Sequence, residues 1–351
     1  MPAPDDEFWI REALSEAKRG VGLTSPNPPV GCVLVRDGHE LSRGWHQKVG
    51  TPHAERNALA ELGQGKAKGA TAYVTLEPCS THGRTGACTD ALIEAGVARV
   101  VYGARDPNPS HEGGADHVLR EAGIEVTSGI CDQECAHLIR GFSMVQREGR
   151  PWVIAKTAMS LDGRITRPPG EGQWLSGPEA REEVQLLRAE VDAIITSGET
   201  VRKDDPALTL RSEAISPAKE QPWRVVLTQK GIQQTDYQLF QDIFADRSVV
   251  FKKMGICDVL STLADKQSAN TVLLEAGGGL LGAFNDADLI DEWVIYLTPF
   301  VAGGPTPAVE GQGASSLVDR HTLKNLSIHQ VGNDLCARGI VDRSGPCDLE
   351  R

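Results

Sequence analysis

The sequence predicts an α/β protein of two domains, and three observations carry that prediction. Short β-branched runs alternate with segments of helical periodicity along the whole chain, the pattern of sheets layered with helices. The 351 residues exceed one ordinary domain. Gly149-Arg150-Pro151 breaks the pattern as a turn-type linker. Domains of residues 1–148 and 149–351 follow.

Residues 5–19 read as a helix, with Asp5 as cap and Gly20 as stop. Residues 30–35 and 41–45 read as paired strands around Arg36-Asp37-Gly38, a hairpin signal. A helix over 54–62, a strand over 71–76, a helix over 89–95 and a strand over 99–103 come next. A helix over 116–122, a short strand over 124–127 and one long helix over 132–146 complete a three-layer first domain. In the second domain, 152–158, 193–196, 224–227, 248–251, 271–274 and 294–297 read as strands. Residues 177–189 form a helix with Val184, Leu187 and Val191 on one face, and Gly277-Gly278-Gly279 opens an apolar helix. A C-terminal strand pair around Ser327 and Cys336 closes the sheet.

Composition narrows the function. A net charge of -12 argues against a nucleic-acid partner. It also means that a phosphorylated small substrate must be held by local arginines and lysines against the overall field. No run of 18 apolar residues exists, so no membrane partner is expected. Residues 1–7 are acidic and lack the apolar stretch of a secretory signal. With metal-type cysteines, this leads us to expect the reducing cytoplasm. A homo-oligomer is also expected.

The chemistry concentrates in His53-Ala54-Glu55, Pro78-Cys79 and Cys88. Two thiolates and a neutral imidazole are three zinc ligands, which leaves a tetrahedral ion one open position for water. Zinc brings the pKa of such water toward ~7. Glu55 need not be a ligand and can shuttle the proton to a leaving amine, as in zinc nucleobase deaminases. The cysteines could instead be small buried apolar residues. Their order, the proline before Cys79 and the strand that delivers it speak for the metal. The general deaminase pattern has two residues between its cysteines, whereas eight separate Cys79 from Cys88.

Nearly the whole chain resembles the bacterial bifunctional riboflavin-biosynthesis deaminase/reductase family. In the first domain the resemblance rests on Pro26-Asn27-Pro28-Pro29-Val30-Gly31-Cys32-Val33, Gly44-Trp45-His46 and Gly50-Thr51-Pro52-His53-Ala54-Glu55. Thr75-Leu76-Glu77-Pro78-Cys79-Ser80, His82-Gly83-Arg84-Thr85, Cys88-Thr89-Asp90-Ala91 and Asp106-Pro107-Asn108-Pro109 extend it. The long gap between cysteines is a feature of this family. Thr81 stands where the family usually has a second histidine, and Gly86-Ala87 replaces a proline pair. The second domain matches at Lys156-Thr157-Ala158-Met159-Ser160-Leu161-Asp162-Gly163, Gln173-Trp174, Leu186-Leu187-Arg188, Asp204-Asp205-Pro206-Ala207-Leu208-Thr209-Leu210-Arg211 and Glu275-Ala276-Gly277-Gly278-Gly279-Leu280. Gly172, Thr228-Gln229 and Gly278 depart from the family's usual residues.

The resemblance implies a cytidine-deaminase-like three-layer domain followed by a dihydrofolate-reductase-like domain. It implies zinc held by His53, Cys79 and Cys88, with Glu55 catalytic, and NADPH as second cofactor. Cofactor contacts are implied at Ala158, Trp174, Thr200, Asp204, Gly277, Gly278, Gly279, Leu280, Leu281, Gly282 and Ala283. Substrate contacts are implied at Asn27, His46, His82, Lys156, Arg188, Leu208, Arg211 and Glu275, for small phosphorylated pyrimidines. A glycine turn opening a helix is also what a phosphate needs on physical grounds. Arg188 and Arg211 are forked donors of the kind that pair with one, although either alone reads as a solvated surface charge.

Other motifs are set aside. Cys131 and Cys135 have helical ligand spacing but no further ligand nearby in sequence. His111-Glu112 has no metalloprotease partner, Cys32 is expected to pack, and Cys257, Cys336 and Cys347 read as unpaired.

Overall fold

The computed structural model describes residues 5–81, 86–108, 111, 113–165, 175–212, 214–215, 217–316 and 321–343. The chain forms two compact units, Met1–Gly149 and Arg150–Arg351. No helix among the described residues is long and apolar enough to cross a membrane.

The first unit runs α1 (Asp6–Lys18), β1 (Gly31–Arg36), β2 (His39–Trp45), α2 (Ala54–Leu62), β3 (Thr71–Leu76), α3 (Cys88–Glu94), β4 (Arg99–Ala104), α4 (Gly114–Glu121), β5 (Glu125–Ser128), α5 (Asp132–Leu138) and α6 (Arg140–Glu148). Asp5 caps α1 by accepting the Phe8 amide at 3.0 Å. The hairpin turn uses Asp37 and Gly38, both at positive φ, the backbone that matches the twist of two paired strands. The sheet order is β2-β1-β3-β4-β5. β1 pairs antiparallel with both neighbours, while β3, β4 and β5 are parallel. Trp9, Ile10 and Ala13 of α1 pack on one sheet face with Cys135 and Ile139, while Ala54, Ala58, Leu92 and Leu119 cover the other. Three layers result.

One expectation fails here. The long helix over 132–146 is two helices, because the backbone leaves helical geometry at Ile139 (φ -98°, ψ 15°). The break turns Ile139 into the core, where it is 2% exposed.

The second unit runs β6 (Trp152–Ser160), α7 (Pro178–Ala189), β7 (Ala193–Ser197), α8 (Gly198–Asp204), β8 (Trp223–Thr228), β9 (Ser248–Lys252), α9 (Ile256–Gln267), β10 (Thr271–Glu275), α10 (Gly278–Asp286), β11 (Glu292–Thr298), β12 (Thr322–Val331) and β13 (Asp334–Asp342). Helices α8 and α9 are additions to the elements expected from sequence. The sheet order is β12-β13-β11-β6-β10-β7-β8-β9. All pairs from β11 to β9 are parallel, and β13 and β12 join antiparallel. Val153, Ala155, Val272 and Leu274 meet α9 and α10 on one face, while Ile154, Ile194 and Leu273 meet α7 on the other. The buried carboxylate of Asp291 pins the unit's first residues. It accepts Arg150 at 2.7 and 3.0 Å, the Val153 amide at 2.8 Å and Arg343 at 2.8 Å.

Gly44 sets where α2, and therefore the first site, can lie. A Cβ there would stand 2.4 Å from the Ala58 nitrogen and 2.5 Å from the Ala54 oxygen. Backbone cannot yield that far without moving the helix. Gly44→Ala is therefore expected to cost about 1–3 kcal/mol or more of stability in urea unfolding. Faster amide exchange should be confined mainly to α2 and β2.

Candidate active site

The first site forms at the carboxyl ends of the parallel strands, where loops converge in open α/β sheets. His53 is the N-cap residue of α2, with extended backbone. Glu55 lies in the first turn of that helix and is 3% exposed. β3 ends at Leu76 and hands the chain to Cys79, and Cys88 opens α3. The amides of Cys88 and Thr89 donate to the Cys79 carbonyl at 3.0 and 3.2 Å. The Cys88 amide also lies 3.3 Å from the Cys79 sulfur. Together these bonds hold Cys88 against Cys79.

Sequence-distant donors thus meet. His53 Nδ1 lies 3.6 Å from Cys79 Sγ and 3.4 Å from Cys88 Sγ, and the three donor atoms lie within 4.8 Å of one another. Nitrogen and sulfur ligands on one tetrahedral zinc stand about 3.6 Å apart, so the donor set fits zinc. The protonation of the sulfurs points the same way. The hydrogen bond from Cys88, aided by His53, holds Cys79 well below the ordinary thiol range. The bond to Cys79 and burial hold Cys88 above it. Two thiols this close resist ionising together, and metal binding would release their protons. The His53 imidazole is raised by its bond to the Cys79 sulfur. Glu55 is raised by burial first and by the Cys79 charge second. Its Oε2 is buried with no hydrogen-bond partner among the described residues. Such an atom is costly unless it serves something that binds there.

A cavity of about 280 Å³ opens beside these groups, lined by Asn27, His46, Glu77, Asp106, Asn108, His111, Phe142 and Gln146 among others. His46 Nδ1 lies 3.1 Å from the Pro52 carbonyl and its Nε2 3.1 Å from Asn27 Nδ2. Nδ1 therefore carries the proton, and Nε2 accepts from Asn27. Burial lowers His46, which keeps this neutral form. Glu77 was not singled out from sequence. It accepts the amides of Asp106, Gly113 and Ala115 at 3.3, 3.2 and 3.2 Å, fastening the far wall of the cavity to the end of β3. His111, set aside on sequence, belongs to this wall. It lies 3.1 Å from Thr81 Oγ1 and 3.3 Å from Asp106 Oδ2. The quoted Asp106-Pro107-Asn108 run was the available signal for this loop. His82 lies outside the described residues.

The second site clusters at the middle of β6 and the end of β10. Lys156 and Glu275 are register partners there. Arg188 reaches them from α7 and grips Glu275 at 2.6 and 3.1 Å, with a third bond to the Thr209 carbonyl at 3.2 Å. The expectation of a solvated surface charge fails for Arg188, which is 5% exposed. The Glu275 carboxylate compensates its charge. Burial works against the Glu275 charge, but Arg188 and then Lys156 more than offset it, so Glu275 stays ionised. Burial lowers Lys156. Arg211 is exposed, and its amide is tied to Gln185 Oε1 at 2.8 Å.

Several implied contacts change character. Leu208 turns its side chain into the core beside Leu187 while its backbone sits at φ 51°, so only its backbone is available to a ligand. Leu281 and Gly282 are buried. A Cβ on Gly282 would meet the Glu310 carbonyl at 2.0 Å, and one on Gly278 the Pro307 carbonyl at 2.6 Å. These two glycines admit the 307–311 loop. Gly277, Gly279 and Leu280 remain at the open first turn of α10, and Ala283 is exposed. The Glu310 carboxylate lies over the same turn, 3.5 Å from the Cβ position of Gly279. Thr200 begins α8, where its amide and hydroxyl meet Ser197 Oγ at 3.0 and 2.9 Å. Asp204 ends α8, and Ala158 is half-buried in β6. Trp174 and Gly172 lie outside the described residues.

Fold and sites define a two-domain enzyme, a zinc-type pyrimidine deaminase followed by a reductase. Residues 3–104 match the cytidine and deoxycytidylate deaminase zinc-binding region, and residues 151–337 match the RibD C-terminal domain. The riboflavin biosynthesis protein RibD of Escherichia coli (strain K12) is 41% identical over 94% of this chain and 98% of its own length. That of Aquifex aeolicus is 33% identical over 94% and 97%. The structure of Acinetobacter baumannii RibD superposes with TM-score 0.88 at 37% identity, covering 96% of this chain and 99% of that one. A Thermotoga maritima diaminohydroxyphosphoribosylaminopyrimidine deaminase/5-amino-6-(5-phosphoribosylamino)uracil reductase gives 0.85 at 30% identity, covering 97% and 99%. The chain belongs to the RibD family of riboflavin biosynthesis and is a bifunctional deaminase and reductase.

Cys79→Ser removes one of the three candidate ligands, and serine is a poor substitute for a thiolate. Metal analysis of the purified variant should show one zinc equivalent fewer per chain than the parent, with the second unit's melting unchanged.

Proposed function

We propose that the cavity beside His53, Cys79 and Cys88 hydrolyses the exocyclic amine of a phosphoribosylamino-diaminopyrimidine, and that the Lys156–Arg188–Glu275 site then reduces the ribosyl group to ribityl with NADPH. The observation that carries the first half is the buried, unpartnered Oε2 of Glu55 beside three convergent zinc donors. Zinc, when bound there, supplies the Lewis acidity that makes water nucleophilic at neutral pH. Glu55 would take a proton from the attacking water, whose oxygen bonds to the ring carbon, and deliver it to the exocyclic nitrogen, which leaves as ammonia as its bond to that carbon breaks. Its raised pKa suits a group that must both accept and return a proton. Asn27 and neutral His46 orient the ring by polar contacts, and His82 lies in the loop that follows Cys79.

In the second site the nicotinamide cofactor, when bound, supplies the hydride. The open first turn of α10, at Gly277, Gly279 and Leu280, offers amides to its phosphates, which requires the exposed Glu310 carboxylate to swing aside. Thr200, Asp204 and Ala158 complete the cofactor side, to which the family resemblance adds Trp174. Glu275, locked by Arg188, orients the substrate's hydroxyls, and Lys156 lies beside it. Arg188 is committed to Glu275, so Arg211 is the free-standing donor for the substrate phosphate.

Two substitutions test the reading. Glu55→Gln keeps the ligand set but removes the proton carrier. Ammonia release should fall by ~10²- to 10⁴-fold, with zinc content unchanged, and loss of metal would assign Glu55 to the ligand set instead. For the second site, a charge-assisted contact is worth ~1.5–3 kcal/mol. Arg211→Ala should thus raise KM for the phosphorylated substrate by roughly tenfold or more, at ~1.4 kcal/mol per decade. The NADPH constant should barely move, and a selective loss of NADPH affinity would place Arg211 at the cofactor.

A further inference from the structure

A second cluster of metal-type donors lies in the reductase unit, apart from the deaminase donors and adjoining the second site, where Lys156 Nζ stands 5.9 Å from the centre of the Tyr296 ring. β11, β13 and β12 are adjacent, and Tyr296, Cys336 and His329 are register partners across them. Directly opposed residues share a sheet face, so these three side chains form one row. α7 packs over this face and brings Glu183 to the row. The donor atoms of Glu183, His329 and Cys336 lie within 4.8 Å of one another.

The geometry of the carboxylate is specific. Tyr296 donates its hydroxyl to Glu183 Oε1 at 3.1 Å, while Glu183 Oε2 lies 3.1 Å from His329 Nε2. One oxygen is thus fixed by a phenol buried beneath it, and the other is turned toward the imidazole. This is the arrangement of a monodentate ligand oriented by an outer hydrogen bond. Oxygen and nitrogen ligands of one tetrahedral zinc stand about 3.4 Å apart, so small adjustments suffice to admit an ion. Cys336 is 1% exposed and supplies the sulfur from below. The His329 side chain is 51% exposed and leaves a path to solvent from above. All donors stand on helix or strand, which holds such a constellation more firmly than loops do.

We propose that Glu183, His329 and Cys336 form a second transition-metal site, with one carboxylate oxygen, one imidazole nitrogen and one thiolate sulfur. A thiolate and an imidazole select zinc or cobalt over magnesium or calcium, which require oxygen ligands. On binding, the Cys336 thiol proton and any proton on His329 Nε2 pass to solvent, and nothing is oxidised or reduced. The ion would tie β12, the edge strand of the eight-stranded sheet, to α7 and β13.

The test is cobalt titration of the full chain carrying Cys79→Ser and Cys88→Ser, which removes the sulfur ligands of the deaminase site. The proposal expects one equivalent of Co²⁺ per chain, a thiolate-to-cobalt charge-transfer absorption and a metal-dependent rise in Tm. Adding His329→Ala, a change at a half-exposed position that does not threaten folding, should abolish all three. Adding Cys336→Ser should abolish the absorption. The proposal is overturned if the double variant shows no charge-transfer band, or if the band survives His329→Ala unchanged. Either outcome would make the cluster a hydrogen-bonded network only, and neither bears on the deaminase assignment.

Discussion

The deaminase unit depends on one constraint: a helix start and a strand end must be brought close enough for one nitrogen and two sulfurs to share a point in space. That closeness is set in the backbone. Gly44 lets α2 ride directly on β2, with a missing Cβ where the Ala54 carbonyl and Ala58 amide pass. Cys79 is placed by the last residue of β3, whose pairing with β1 and β4 fixes its height. The amides at the start of α3 then draw Cys88 onto Cys79. Side-chain chemistry follows from this frame. With the sulfurs so near, they cannot both ionise without a cation between them, and the buried Glu55 carboxylate next to them adds to the same demand.

The reductase unit meets a related problem with ion pairs at its candidate site. Lys156, Arg188 and Glu275 place two cations and one anion in largely buried surroundings. An ion pair removed from water is retained only where its geometry is good and its remaining donors are satisfied. Arg188 meets both conditions, with two bonds to Glu275 and one to the Thr209 carbonyl. The consequence is a division of labour between arginines that the residue type alone does not reveal. One fork is spent holding a carboxylate rigid, and the other, on Arg211, faces solvent.

What was legible in the sequence was local. The Asp37-Gly38 turn, the Asp5 cap and the strand delivering Cys79 each announce themselves within a few residues. His53, Glu55, Cys79 and Cys88 could be read because each sits at an element boundary with its own signature. What was not legible depends on partners far along the chain. Arg188 and Glu275 are 87 residues apart, and no spacing rule links them. Gly278 and Gly282 looked like phosphate glycines, but the 307–311 loop, remote in sequence, is what requires them small. The kink at Ile139 was hidden because residues on both sides favour helix, and only the core beneath shows why the chain turns there. Helix α9 was missed for a different reason: its core contact rests on a short stripe, Val259, Leu260 and Leu263.

Cysteines show most clearly how fold converts identity into role. Cys32 and Cys135 are fully buried among apolar neighbours and behave as small hydrophobes. Burial raises both thiols, in Cys135 to about 12, and it raises Cys336 equally. Cys79 has the opposite fate because a second thiol and an imidazole point at it. Cys336 is as buried as Cys135 yet has a carboxylate, an imidazole and a phenol within reach, delivered by α7 and the two flanking strands. Burial alone therefore does not decide whether a cysteine is structural. What separates Cys336 from Cys32 is the number of other donors that the fold directs at its sulfur, and that is the ground on which a metal is proposed there.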